Sequence, residues 1–216
     1  MPLDQKTILA AVKEAKEKSE KRKFNQSVEL ILKLHDVDMK APESKIQEVL
    51  ELPHALEKPN KICVIASGEL AMKAKNVNVD RVIERSELEA LGGKKQELRK
   101  IANGYDVFIA EAPLMSMVGK VLGPVLGPRG KMPLPVPPTA DISTLVKKYR
   151  KTIVVRLRNQ PIIQNRVAMQ NMKDEEITEN IQAILKVLEG KLKKGMKNIR
   201  FAYIKTAMGT PVKIKP

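Results

Sequence analysis

Few side chains in this sequence could carry out bond chemistry. His35 and His54 are the only histidines and Cys63 the only cysteine. His35 ends an alternating apolar stretch and His54 lies between two prolines, so neither has a partner at metal-ligand spacing. Cys63 falls inside the apolar run Ile62–Ala66, where a buried, inert thiol is expected. One cysteine can form neither an internal disulfide nor a multi-cysteine zinc site. The Gly-rich stretch Gly119–Gly130 resembles a phosphate-binding loop only in part. Position 125 is Val where the upstream glycine would stand, and Met132 follows Lys131 where Ser or Thr should hold magnesium. There is no G-x-G-x-x-G and no G-x-S-x-G. These absences predict no enzyme, no cofactor and no metal.

Charge is the chemistry that remains. Forty Lys and Arg against 25 Asp and Glu leave +15, which suits a polyanion, and nucleic acid is the commonest large one. The excess is uneven. Residues 1–59 are balanced, residues 60–150 carry +6 and residues 151–216 carry +9. Arg156 and Arg158 are two apart on one strand face, where their forks suit phosphate. Lys191, Lys193, Lys194, Lys197 and Arg200 extend that basic surface. Aromatic residues make up 3% with no Trp, a scarcity that argues against stacking platforms for single strands.

The elements that must position these groups follow from periodicity. Ile8, Leu9, Val12 and Ala15 predict a helix over 6–21. Val28, Leu30, Leu32 and Leu34 predict a strand over 24–35 with one buried face. A short strand follows at 49–52, and the two prolines of 52–60 read as a linker. From residue 61 the pattern changes. Apolar runs at 62–66 and 106–110 read as strands covered on both faces. A helix after Ser67-Gly68, a short strand at 81–84, a helix opened by a Ser86/Glu89 capping box and a helix over 141–149 complete an alternating unit. Strand alternation returns at 151–158, with Ile153, Val155 and Leu157 on one face. A long helix after Asp174 has an acidic first turn and a Lys-rich end, and strands follow at 199–205 and 212–215.

The expected fold class is α/β in two domains. Residues 1–59 and 151–216 form a split α+β domain, and residues 60–150 an inserted, three-layer, Rossmann-like α/β domain. Two short crossings, near 53–60 and 149–152, permit a hinge. No apolar run is long enough for a membrane span. The first 23 residues alternate Lys with Glu and lack an apolar segment, so a cytoplasmic chain is expected.

Four ordered motifs then add a resemblance. LGPRGKMPLP (126–135) resembles the signature of the ribosomal protein L-one family, with Gly127, Pro128, Arg129 and Gly130 as a loop followed by Met132 and Pro133. KFNQSVEL (23–30) is similar to that family's first strand, LPHALEK (52–58) to its hinge segment and TAMGTPVKI (206–214) to its final turn and strand. Lys131 and Leu134 vary from the bacterial form toward an archaeal-like one. The resemblance implies a non-catalytic protein bound to large-subunit ribosomal RNA. It would form the mobile stalk beside the transfer-RNA exit site, aid release of deacylated tRNA, and repress translation by binding its own mRNA. It would be ribosome-associated, and a monomer when free.

The RNA surface implied by the resemblance is formed around Lys23, Phe24, Ser27 and Glu29, with Met208 and Gly209 at the C-terminal turn. Ser27 and Glu29 share a strand face and offer a hydroxyl and a carboxylate to ribose or base groups. Gly209 would let backbone approach RNA closely. Ala207 stands where the family often has Thr, so one hydroxyl contact is missing or comes from Thr206. After Val167 the chain reads Ala168-Met169, without the glycine expected in a loop there. Two other readings compete: a nucleotide-dependent enzyme using the inserted unit, and a general basic nucleic-acid chaperone.

Overall fold

The computed structural model describes residues 4–20, 22–38, 46–57, 59–157 and 160–214. In chain order, α1 (Gln5–Glu17), β1 (Ser27–Leu34) and β2 (Gln47–Glu51) come first. The middle of the chain holds β3 (Ile62–Ile65), α2 (Gly68–Asn76), β4 (Arg81–Ile83), α3 (Arg85–Ala90), α4 (Lys95–Gly104), β5 (Val107–Glu111), α5 (Met115–Val121), α6 (Gly123–Arg129), β6 (Leu134–Val136) and α7 (Ile142–Arg150). The end supplies β7 (Thr152–Arg156), β8 (Ile162–Met169), α8 (Asp174–Lys191), β9 (Ile199–Thr206) and β10 (Val212–Lys213). Two compact units result, one from residues 1–57 and 151–216, the other from residues 58–150.

In the first unit, an antiparallel sheet runs in the order β10-β9-β1-β8, and β2 pairs with β7 in a separate ribbon. Alternation along β1 buries Val28, Leu30, Leu32 and Leu34. Against them pack Ile8, Ala11, Val12 and Ala15 of α1 and the stripe Ile177, Ile181, Ile184, Leu185 and Leu188 of α8. Each such aliphatic side chain removed from water contributes about 1.5–3 kcal/mol. Lys16 joins the two helices, its Nζ lying 2.6 Å from both the Asp174 carboxylate and the Met172 carbonyl.

The strand β8 breaks the expected pattern. Val28 pairs with Ala168 but Glu29 with Arg166, a bulge that leaves Val167 and Ala168 both buried. Ala168 is therefore a fully buried strand residue, and no glycine-bearing loop occurs there. The segment read as a linker is partly core, since Leu52 and Leu56 are buried in the first unit. Asn180, itself buried, accepts the His54 N–H at 2.9 Å and donates to the His54 and Val167 carbonyls at 3.1 and 2.9 Å.

The second unit is a parallel sheet in the order β4-β3-β5-β6. One face packs Cys63, Ile65, Phe108 and Ala110 against Leu88, Ile101, Val118 and Leu126 of α3–α6. The other packs Ile62, Val64 and Ile109 against Leu70, Ala74, Ile142 and Val146 of α2 and α7. The helix α3 begins at Arg85, after Glu84, with no side-chain cap, so the Ser86/Glu89 capping box does not form. A carboxylate does reach back at α8, where Glu176 accepts the Lys173 N–H at 3.2 Å.

Candidate nucleic-acid interface

The loop before β1 and the turn after β9 are far apart in sequence and meet through Gln26. Its side chain is 1% exposed. The Gln26 amide donates to Ser19 Oγ at 3.0 Å and the Glu20 carbonyl at 2.9 Å, and its Oε1 accepts the Met208 N–H at 3.0 Å. The Gln26 carbonyl accepts Gln170 N–H at 2.8 Å, and the Ser27 carbonyl accepts Ala207 N–H at 2.9 Å. A buried amide with every group engaged is a rigid clamp. Sequence reasoning missed Gln26, although its inward parity with Val28 and Leu30 was a usable signal.

The clamp holds two large apolar side chains in solvent. Phe24 is 56% exposed and Met208 63% exposed. Lys23 is exposed beside them. Asn25 donates to the Glu57 carboxylate, which also accepts from Asn171 at 3.0 Å, so this loop is tied to the segment leaving the first unit. Ser27 and Glu29 lie half-buried on the outward face of β1. Glu29 accepts from Gln164 at 3.0 Å and pairs across the sheet with Arg166 and Lys205.

Two expected contacts change role. Thr206 is fully buried, and its hydroxyl lies 3.0 Å from Ser19 Oγ, so it positions the turn and cannot supply a hydroxyl at the surface. Gly209 is not in the left-handed region. A Cβ there would fall 2.2 Å from Thr206 Oγ1, so this glycine is needed for close packing within the chain itself. Arg156 is exposed but belongs to the β2–β7 ribbon, opposite Gln47, not to the four-stranded sheet. Arg158 lies outside the described residues. Of the C-terminal lysines, Lys191 is paired with Glu48 at 2.7 Å and Lys194 with Asp36 at 2.8 Å. The Lys194 hydrogen bond and charge hold the Asp36 carboxyl below its usual range.

The signature segment is a helix end, not an open loop. Gly127, Pro128 and Arg129 close α6, and Gly130 caps it with φ 67°, a conformation that favours glycine. The Lys131 ammonium lies 3.1 Å from the Ala102 carbonyl and 2.6 Å from that of Tyr105, capping the end of α4. Met132 is 43% exposed and Pro133 leads into β6.

The crevice where a parallel sheet of this order would take a nucleotide lies at the ends of β3 and β5. Glu111 fills the amide position there. Its carboxylate accepts the Ser67 N–H at 2.8 Å and hydroxyl at 2.7 Å, at the start of α2. A fixed carboxylate on the amides a phosphate would need disfavours nucleotide binding. His54 Nε2 lies 2.6 Å from Glu179, and His35 Nδ1 3.1 Å from the Asn198 carbonyl. Cys63 is buried, and desolvation pushes its thiol up to about 12.

These features define a basic α/β protein in which the loop before β1 and the turn after β9 converge on the buried Gln26. The chain belongs to the Ribosomal protein L1p/L10e family, whose model matches residues 14–210. It is 45% identical over 210 residues to the large ribosomal subunit protein uL1 of Methanothermobacter thermautotrophicus, covering 97% of this chain and 99% of that protein. Identity is 45% over 216 residues to the protein of the same name from Pyrococcus abyssi, covering 100% and 98%. With the Hyperthermus butylicus protein it is 47% over 205 residues, covering 95% and 94%.

Proposed function

We propose that this chain is a structural, non-catalytic component of the large ribosomal subunit that binds folded large-subunit ribosomal RNA through its first unit. The observation that carries the reading is the Gln26 clamp, which joins the sequence-distant segments that carry the exposed Phe24 and Met208 at the start of β1. Exposed apolar groups beside Lys23 and the polar Ser27 and Glu29 suit an RNA whose unpaired bases and 2′-hydroxyls are read together. Family membership and relatives named large ribosomal subunit protein support it.

On this reading the RNA–protein unit forms the mobile stalk beside the exit-site tRNA and aids release of deacylated tRNA. The same surface binds a similar structure in the chain's own mRNA and represses translation. The protein is cytoplasmic, ribosome-associated and monomeric when free. The two compact units act as domains, with the crossings near 53–60 and 149–152 as a hinge. Binding to large-subunit rRNA, measured with a salt series and a footprint, tests the reading. Met208→Ala weakens specific binding more than Lys94→Ala, and discrimination over unrelated RNA reaches about a thousand-fold. Equal losses would misplace the site, and equal affinity for any RNA would make the protein a general chaperone.

A further inference from the structure

We propose that the open face of the four-stranded sheet is a base-stacking platform for unpaired nucleotides, built on Phe201 and Tyr203. The proposal rests on the RNA-binding reading above and extends its surface across the sheet. Strand pairing sets Tyr203 opposite Ile31 and Phe201 opposite Lys33. Both rings therefore share the face that carries Ser27 and Glu29, and not the face packed on α1 and α8.

The placement of these rings is unusual for this chain. Its first core is aliphatic throughout. It has only three Phe and three Tyr, yet one of each stands on this outward face, half-buried, while the alternate positions Ala202, Ile204 and Thr206 are buried. The low aromatic content argued against such a platform, but position decides the matter and not number. The ring centroids are 6.2 Å apart at 49°. The Lys213 ammonium stands 4.5 Å from the Phe201 centroid, and the Arg200 guanidinium 5.3 Å.

The charges around the rings identify the occupant. At the paired positions of this face lie Lys33, Arg166, Lys205 and Lys213 against the single carboxylate of Glu29. An aromatic surface ringed by cations matches a nucleotide, which presents a π-face and a phosphate a short distance apart. A duplex hides its base faces, so the nucleotides must be unpaired. An exposed lysine over the ring can swing from the π-face to the phosphate as the base takes its place.

Methanothermobacter thermautotrophicus large-subunit rRNA is the probe, in filter binding over a salt series and in 254 nm cross-linking read by mass spectrometry. Phe201→Leu and Tyr203→Leu should each weaken binding about five- to 150-fold with no change in salt slope. Phe201→Tyr should bind as the unsubstituted chain does. Lys213→Gln should lower the slope by about one phosphate contact. In the unsubstituted chain, an unpaired nucleotide should cross-link to the peptide containing Phe201 and Tyr203. If both leucine variants bind normally while Met208→Ala is impaired, the platform is wrong and the site beside it stands. If the unsubstituted chain does not prefer this RNA to an unrelated one, the underlying reading fails instead. Should a leucine variant not fold, the cross-link decides alone, and its mapping elsewhere overturns the platform.

Discussion

Replacing Gly209 by Ala tests the turn that presents Met208. The new Cβ would lie 2.2 Å from Thr206 Oγ1, over 1 Å closer than ordinary contact, while its next neighbour, Thr206 Cβ, is at 3.5 Å. Backbone strain is not the issue, because Gly209 is outside the left-handed region. The clash is relieved only by moving the turn or by rotating the Thr206 hydroxyl away from Ser19, in a site with no exposure. Losing a buried hydrogen bond costs about 1–3 kcal/mol, and overpacking about 1–3 more, so Gly209→Ala should destabilise the first unit by about 2–6 kcal/mol. Thr206→Ala alone removes the hydroxyl and should cost about 1–3 kcal/mol. In the double variant the clash is gone, so Gly209→Ala should add less than about 1 kcal/mol, a coupling of at least about 1 kcal/mol. Urea unfolding followed by hydrogen exchange in β1 and β9 peptides reads this unit separately. Additivity within about 0.5 kcal/mol would refute the steric argument.

Two further outcomes probe the second unit. Lys131→Met uncaps α4 and should lower stability of residues 58–150 by about 1–2 kcal/mol, measured by hydrogen exchange in α4, while RNA affinity stays unchanged. A fall in affinity with intact stability would move the signature segment into the interface. Cys63, with its thiol pushed up to about 12 by burial, should resist alkylation at pH 8 until urea opens the unit. The sign follows from the unfolded thiol ionising first, so stability falls as pH rises above about 9. Native-state labelling at the rate of a free cysteine would show the strand to be open.

Strong periodicities were legible directly. The inward set of β1 and most of that of α1 were readable because each buries one face at a regular spacing, although Ala11 and not Leu9 completes the α1 face. The apolar runs of β3 and β5 were readable because both their faces are covered. The strand β8 was not, because its bulge puts Val167 and Ala168 on the same side and destroys the alternation. Helices α5 and α6 were hidden by glycines and by Pro128, which local pattern reads as loop and which packing on Cys63 and Phe108 overrides.

Charge and the four motifs belonged to the sequence alone, since neither needs partners to be recognised. The location of the expected surface did not. Phe24 and Met208 are separated by most of the chain, and the β1–β9 pairing and the hydrogen bonds of Gln26 and Ser27 bring their segments together. Likewise Lys191 and Lys194 counted as free positive charge until the fold supplied Glu48 and Asp36. Phe201 and Tyr203 were two of very few aromatics until strand pairing put them on one open face. Composition records which groups a chain possesses, but neighbours decide which of them are neutralised, buried or left to meet a partner.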